Sequence, residues 1–193
     1  YCTDNDRKNR KITTCFKSKN SSVQEHIVEK TLDQWGRSTQ IKAVPSGLTE
    51  SLTYDLTGNV LTHTDPNGNT TNFSYNNAGQ LMGVTDPLNQ TTAYSHTILG
   101  NLKTITNTDG STSWTTTKTY DESGRLTDNQ DPGSMTSTFA YNNAGLVQGS
   151  TDPNGTQFGF TYDNQDRILS NSAANAGTSS GYAYTYEASP YGL

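Results

Sequence analysis

Tyr-Asp-Leu-Thr-Gly-Asn-Val-Leu, at residues 54–61, is the stretch whose repetition decides the fold. Similar stretches begin with an aromatic residue or histidine, and in most of them a glycine follows four residues later. The lead residues are Tyr54, Tyr75, His96, Tyr120, Tyr141 and Tyr162, and the glycines are Gly58, Gly79, Gly100, Gly124 and Gly145. Successive leads are 21, 21, 24, 21 and 21 residues apart. A fixed period of this length is typical of repeat proteins, whose units stack on their neighbours.

A second stretch, which begins with Asp-Pro, starts 11 residues after most of the leads. It predicts a second turn in each unit. In this turn Asp accepts backbone hydrogen bonds at the first position and Pro presets φ at the second. In the Tyr-led stretch, the glycine supplies the positive φ that closes a short hairpin loop. The third copy has Thr108-Asp109-Gly110 instead of Asp-Pro. The Asp-Pro pairs are Asp65 and Pro66, Asp86 and Pro87, Asp131 and Pro132, and Asp152 and Pro153.

The segments between the turns have the length and chemistry of β strands. Examples are 60–64, 70–75, 81–85 and 157–162, and Phe73 and Tyr75 fall on one face at period two. Each unit of about 21 residues is therefore predicted to be a β-hairpin, joined to the next by another tight turn. The fold class is all-β, with antiparallel hairpin repeats forming a twisted, coiled sheet. The recurring Tyr, Phe and Leu residues are expected to form ladders along its inner face.

Composition and charge exclude other classes. The chain is rich in Thr and Asn and holds 11 Tyr and 17 Gly, which argues against a helical bundle, a doubly wound nucleotide-binding fold or a coiled coil. The net charge of −5 disfavours nucleic acid as a partner. No apolar run approaches the ~20 residues of a membrane helix. Without a start Met or a signal peptide, the chain is interpreted as an excised or processed piece.

Tyr-Asp-x-x-Gly-Arg/Asn-Leu followed by Asp-Pro-x-Gly-x-Thr resembles the YD repeat of Rhs proteins, over residues 32–187. Relatives of that family are the C components of insecticidal toxin complexes, bacterial wall-associated proteins and teneurins. The resemblance implies a non-enzymatic segment of a β-shell that encloses a C-terminal toxin or effector. It also implies an exported or cell-surface bacterial protein, delivered for instance by a type VI secretion apparatus. Expected partners are further YD repeats, the toxin domain and secretion-apparatus proteins.

Three segments are expected along the chain. Residues 32–187 form the repeat array, and residues 188–193 are the truncated end of the fragment. Residues 1–31 are a basic N-terminal segment, interpreted as either a degenerate hairpin, with 11–18 pairing with 23–31, or a separate plug. Open sheet edges make self-association of the fragment a further expectation.

No catalytic, cofactor-binding or metal site is expected. Asp65, Asn67 and Asn69 alternate as in a calcium loop, but the required Gly is misplaced and Asn76 stands where Glu is needed. Ser95 lacks the G-x-S-x-G context of a nucleophile elbow. A β-solenoid hydrolase or lyase would need carboxylates that cluster as an exception to the repeat, and the acids recur in every unit as turn residues.

Several features leave alternatives open. Cys2 and Cys15 are interpreted as either a disulfide or two free thiols. Trp35 and Trp114 break the repeat pattern, either as large fillers or as sugar-stacking platforms of an adhesive or carbohydrate-binding module. The extra residues of the longest copy predict a bulge or a longer loop at residues 112–118. The Gly, Ser and Ala residues of 173–181 predict a flexible loop.

Overall fold

The computed structural model describes residues 2–6, 10–16, 26–44, 46–175 and 177–186, and all its regular elements there are β strands. The strands that pair consecutively do so antiparallel, which confirms the predicted fold class. The seventeen strands in these ranges are β1 (Cys2–Asp6), β2 (Lys11–Phe16), β3 (His26–Leu32), β4 (Ser38–Val44), β5 (Thr49–Tyr54), β6 (Val60–Thr64), β7 (Thr70–Tyr75), β8 (Leu81–Thr85), β9 (Thr91–His96), β10 (Leu102–Asp109), β11 (Thr112–Tyr120), β12 (Leu126–Asp131), β13 (Met135–Tyr141), β14 (Val147–Thr151), β15 (Gln157–Tyr162), β16 (Ile168–Asn175) and β17 (Thr178–Ala183).

The strands fall into two compact units. The first contains residues 1–94 with 107–113, and the second contains 95–106 with 114–193. Within the first unit, β1 to β9 pair in chain order, each antiparallel to the next. Within the second unit, β11 to β17 do the same. Each unit is thus a meander in which sequence neighbours are also neighbours in space.

The first strands of this meander are β1, β2 and β3. β2 pairs with β1 on one side and with β3 on the other, and the backbone register sets Cys2 opposite Cys15. The described residues leave out 7–9, 17–25 and 187–193. The expected truncated end of the fragment, at 188–193, therefore lies outside them.

Both kinds of turn use the same backbone hydrogen bonds. In the Asp-Pro turn, Asp65 N–H donates to the carbonyl of Asn69 and Gly68 N–H donates to that of Asp65. In the Tyr-led turn, Asp55 and Gly58 form the corresponding bonds. The fourth position has a positive φ in each, at 88° in Gly68 and 100° in Gly58. The resulting loops hold five residues between the last paired positions, Thr64 and Thr70 or Tyr54 and Val60, and the left-handed fourth residue closes them.

The two ends of each hairpin differ in register. Beside each Tyr-led turn the ladder shifts by one residue, as between Thr53 and Tyr54 or Thr161 and Tyr162. The β6–β7 ladder, which ends at an Asp-Pro turn, shows no such shift. An extra residue on one strand of a pair bends that strand and increases the local right-handed twist. The twist expected of the sheet is therefore concentrated at the edge that carries the tyrosines.

Each sheet has an aromatic face and a hydroxyl face. The register keeps Phe73, Tyr75 and Tyr94 on one side of the first unit. On the other side of this unit, Thr side chains pair across strands, as where the Thr53 and Thr62 hydroxyl oxygens are 2.7 Å apart. Among residues 10–14, 28–44, 46–175 and 177–186, none is fully buried, because each unit is a single layer of strands. Stability therefore depends on ladders of cross-strand and cross-repeat contacts.

The structure differs from two loop predictions. Residues 173–181, expected to be flexible, form most of the β16–β17 hairpin, with Ala173 opposite Ser180 and Ser172 opposite Gly181. Small side chains fit there because strands crowd one another: a Cβ on Gly181 would lie 2.7 Å from the carbonyl oxygen of Asn171. Residues 112–118, expected to hold a bulge or a longer loop, lie within β11, the nine-residue strand, so the longer loop is wrong and the bulge stays a prediction. The extra residues of that copy lengthen its strands.

Replacing Gly79 with Val is expected to reduce the free energy of unfolding by about 1–3 kcal/mol, because a β-branched residue is strained at positive φ. The φ of Gly79 is 76°, and a Cβ there would lie no closer than 3.9 Å to Asn59, so the cost is conformational. Gly79→Asn is the matched control, because Asn89 adopts a φ of 63° at the same turn position. It should cost clearly less in urea titration. Equal losses for Val and Asn would contradict the assigned turn geometry.

Candidate functional site

The feature that recurs most regularly in both units is the turn that follows a lead residue, and we call these turns together the turn edge. It comprises residues 33–37, 55–59, 76–80, 97–101, 121–125, 142–146 and 163–167. In nearly all of these turns, the side-chain oxygen of the opening Asp or Asn accepts two backbone N–H groups. The Oδ1 of Asp55 accepts from Thr57 at 2.9 Å and from Asn59 at 2.8 Å. Thr97 opens the turn before Gly100, and its hydroxyl accepts from Asn101 N–H.

These hydrogen bonds stabilise the ionised carboxylates. The side-chain amide of Asn59 lowers the pKa of Asp55 to about 2, against partial burial that acts to raise it. The side chain of Arg125 lowers the pKa of Asp121. The backbone N–H of Arg167 is the main cause of the lowered pKa of Asp163. The carboxylates of the turn edge therefore stay ionised at any pH above the acid range.

A tyrosine ladder ties each repeat to the one before it. The hydroxyl of Tyr54 donates to the carbonyl of Ser38 at 2.7 Å, and Ser38 is the first residue after the preceding turn. The same bond, from 2.6 to 2.8 Å long, joins Tyr120 to Leu102, Tyr141 to Leu126, Tyr162 to Val147 and Tyr186 to Ile168. Tyr75 holds the same register position and, like the other lead tyrosines, is half-buried. The ladder thus joins repeats through side-chain bonds in addition to the strand pairing.

His96 is the exception in this row. Its Nδ1 is buried and has no hydrogen-bond partner in the structure. An imidazole is shorter than a phenol and carries no hydroxyl group to donate to the neighbouring repeat. His96 therefore occupies the position of the lead tyrosines without the bond that they make.

Arginines add a second contact between successive turns. The guanidinium of Arg125 bonds Asp121 of its own turn, with Nε 2.7 Å from Oδ2, and lies 4.6 Å from the ring centre of Tyr141. We call this arrangement an Asp–Arg–Tyr clasp. A second clasp consists of Asp33, Arg37 and Tyr54, in which the guanidinium lies 4.5 Å from the ring centre. A third consists of Asp163, Arg167 and Tyr186, in which that distance is 4.2 Å. Each clasp joins the turn of one repeat to the tyrosine of the next.

The Asp-Pro turns form the opposite edge of the hairpins. Asp65, Asp86 and Asp152 each open a turn through the same pair of side-chain bonds, and a proline follows each one. Pro66, Pro87 and Pro153 take the second position of these turns. The turn at Asp131 and Pro132 is different: Gly133 and Ser134 both have positive φ, and Asp131 pairs directly with Met135. Its glycine comes one position earlier in the sequence, which makes the loop different.

Within each unit, the lead tyrosines and the turn glycines recur at equivalent positions of their turns, and the structure also holds contacts that the sequence reasoning missed. Asp33, Arg37 and the arginines at 125 and 167 were not predicted as a set. A signal was present, because acid and arginine stand four residues apart in those turns and a tyrosine follows 16 to 19 residues after the arginine.

The exposed tryptophans do not share one environment. Trp35 is 61% exposed, but Arg37 lies 4.7 Å from its ring centre and covers part of it. Trp114 lies on β11 and is 42% exposed. Within the described residues, no group of three or more His, Cys, Asp or Glu side chains is placed to hold a metal ion. Those same ranges contain no helix with the length and hydropathy needed to cross a bilayer.

Comparisons with known proteins agree with this architecture. The model of the family described as RHS Repeat matches residues 54–91, 75–112, 120–157 and 141–180. No curated protein matches the chain in sequence. The crystal structure of TcdB2-TccC3 without its hypervariable C-terminal region aligns at a TM-score of 0.62 and 16% identity, over 87% of this chain and 11% of that one. The crystal structure of TcdB2-TccC3-Cdc42 aligns at a TM-score of 0.53 and 13% identity, over 91% of this chain and 12% of that one. The aligned part of the chain thus spans only 11% to 12% of these structural neighbours, and the likeness shows the fold.

Removing the hydroxyl of Tyr162 tests the ladder. Tyr162→Phe is expected to reduce the free energy of unfolding by about 1 kcal/mol, because the carbonyl of Val147 loses its partner. No arginine stands in the turn before Tyr162, so the change isolates the hydrogen bond. Tyr182→Phe is the control, because Tyr182 is 72% exposed and should change stability by less than about 0.5 kcal/mol. Equal effects of the two variants in urea titration would refute the ladder.

Acid is expected to weaken the fold. Because the pKa of Asp55 is about 2 in the folded chain and 3.8 ordinarily, the ionised form favours folding above pH 4, and this contribution is lost as pH falls from about 4 to 2. The urea midpoint should be nearly constant from about pH 7 to 5 and fall below that range. Asp55→Asn should fold, as Asn76 and Asn142 open equivalent turns, and should show a smaller acid loss. A midpoint that rises on acidification would contradict this sign.

Proposed function

Because the chain belongs to the RHS repeat family, we propose that it is a non-enzymatic structural segment of an Rhs-type shell. In this role its repeats form part of a wall that encloses a C-terminal toxin or effector domain of the same protein. The proposed partners are further YD repeats and that enclosed domain. The array proper is residues 32–187, preceded by the segment at 1–31 and followed by the end at 188–193.

The observation that carries this proposal is the contact between successive repeats. Each ladder tyrosine donates to the same backbone position of the preceding repeat, five residues past that repeat's turn opening. Such a contact can be repeated from one repeat to the next wherever the lead residue is a tyrosine, because each turn is followed by a backbone carbonyl at the same position. A structure made in this way grows along one dimension and depends on nearest neighbours. These are the properties required of a long, continuous wall.

The chemistry of the two edges supports a wall more than a catalytic surface. The carboxylates of the turn edge are occupied by turn N–H groups and arginines. Their lowered pKa values keep them ionised, whereas a general acid needs a raised one. Confinement is therefore the proposed mechanism: the wall separates the enclosed domain from proteases and targets until delivery. Export, or display at a bacterial cell surface, and delivery by a type VI secretion apparatus belong to the same proposal.

Limited proteolysis of the complete gene product that contains this chain tests the proposal. We expect the segment that follows the repeats to survive at least about tenfold longer inside the intact protein than when it is expressed alone. Tyr141→Ala together with Tyr162→Ala should shorten that survival, because two rungs of the ladder are removed. Tyr182→Phe serves as the matched control and should leave survival unchanged.

Two results would contradict a shell. One is cleavage of the following segment at the same rate with and without the repeats. The other is a complete gene product in which no further repeats and no following domain exist.

A carbohydrate-binding or adhesive module is the second candidate, and exposed Trp114 is the observation that favours it. An exposed indole is a suitable platform for the apolar face of a sugar ring. Trp114 is 42% exposed, whereas Arg37 partly covers the other exposed indole, that of Trp35. A glycan array of the chain at high protein concentration, compared with Trp114→Ala, tests this role. Binding that is absent, or that survives Trp114→Ala, would remove this candidate.

A further inference from the structure

The position after the turn glycine decides how the gap between two successive turns is filled. Where this residue is Arg37, its guanidinium bonds the Asp33 carboxylate at 2.6 Å. The same guanidinium lies 4.5 Å from the ring centre of Tyr54 and donates to the carbonyl of Asp55 at 2.9 Å. The arginine therefore extends from its own turn to the next one and occupies the space between them.

In the following turn this position holds Asn59, which leaves the gap open. The Asn59 amide donates to Asp55 Oδ2 at 2.8 Å and to Thr57 Oγ1 at 2.9 Å, so the side chain stays within its own turn. Beyond it lies a groove of about 930 Å³ between turns 55–59 and 76–80. Its lining includes Tyr75 and Gly79 of the next repeat.

The groove presents the chemistry that holds arginine in the clasps. Its lining includes the Asp55 carboxylate, which corresponds to that of Asp33, and Tyr75, which corresponds to Tyr54. Leu56 and Leu61 add apolar surface for an aliphatic stem, and both are exposed, Leu56 by 92%. Asp55 is ionised over the whole physiological range because its pKa is about 2. The chain's net charge of −5 further favours a cation.

We propose that the groove between turns 55–59 and 76–80 binds an arginine side chain of a polypeptide partner. The incoming guanidinium takes the position that Arg37 takes in its own clasp, between the Asp55 carboxylate and the Tyr75 ring. The Asn76 carbonyl corresponds to the Asp55 carbonyl that accepts from Arg37, and it is the acceptor for the remaining N–H. This binding site goes beyond the shell role and does not depend on it.

Arginine fits the groove better than lysine or an anion. A guanidinium is planar and weakly hydrated, so it can stack on an aromatic ring while its N–H groups bond a carboxylate. A lysine ammonium is a compact, strongly hydrated charge without a flat surface to stack. An anion would meet the negative charge of Asp55. A single side chain should bind with a dissociation constant of about 1 mM, and a longer segment should bind more tightly.

NMR titration of the isotope-labelled chain with Nα-acetyl-L-arginine amide tests the site. Its citrulline analogue, which replaces the guanidinium with a neutral urea of the same shape, and the lysine analogue are the matched controls. At about 10 mM, the arginine compound should shift the amide signals of Asn59 and residues 75–79 in a saturable way. The citrulline compound should cause no comparable shifts, and the lysine compound should bind at least about fivefold more weakly.

Two variants separate loss of binding from loss of folding. Asn59→Arg should fill the groove from within and abolish the shifts, while it raises the urea midpoint by adding a clasp. Asn101→Arg adds the same charge at the equivalent position of another turn and should leave binding unchanged. Equal shifts with the citrulline or lysine compound, no shifts with the arginine compound, or unchanged binding in Asn59→Arg would each overturn the proposal.

Discussion

The structure depends on the contact that each repeat makes with the one before it. A two-stranded hairpin cannot bury its own apolar face, and a single layer of strands leaves residues 28–44, 46–175 and 177–186 at least partly exposed. The lead tyrosine compensates because its ring covers the neighbouring repeat while its hydroxyl bonds a backbone carbonyl there. Without this bond the repeats would be held only by strand pairing and cross-strand side chains. The tyrosine ladder is therefore what makes a row of weak hairpins into a continuous sheet.

The turn edge combines rigidity with variation. The opening Asp or Asn determines the shape of each turn by local hydrogen bonds, so the position after the glycine is free to vary. Where that residue is arginine, as at Arg125, two turns are joined by charge and by stacking. Where it is Asn59, the same space stays open as a groove. One repeated scaffold thus produces both structural contacts and a candidate binding site.

Much of the fold was predictable because its determinants are local. Asp, Pro and Gly specify turns through their own backbone preferences, and the period of 21 residues places the turns and the strands between them. The loop prediction for residues 173–181 failed because it rested on their content of small residues. The strands that contain them, β16 and β17, pair with each other through backbone hydrogen bonds. Small residues there reflect close approach of neighbouring backbones, as at Gly181, rather than freedom of movement.

The order of the residues specified the hairpins, the two turn types and the alignment of the tyrosines, because each of these follows from neighbours in the chain. Folding added what depends on atoms 15 to 19 residues apart: the tyrosine bonds to the preceding repeat and the arginines stacked on the next one. The open groove at Asn59 belongs to this second group. Whether a side chain bends back to its own turn or reaches the next is a competition between contacts, and only the folded arrangement of both turns resolves it.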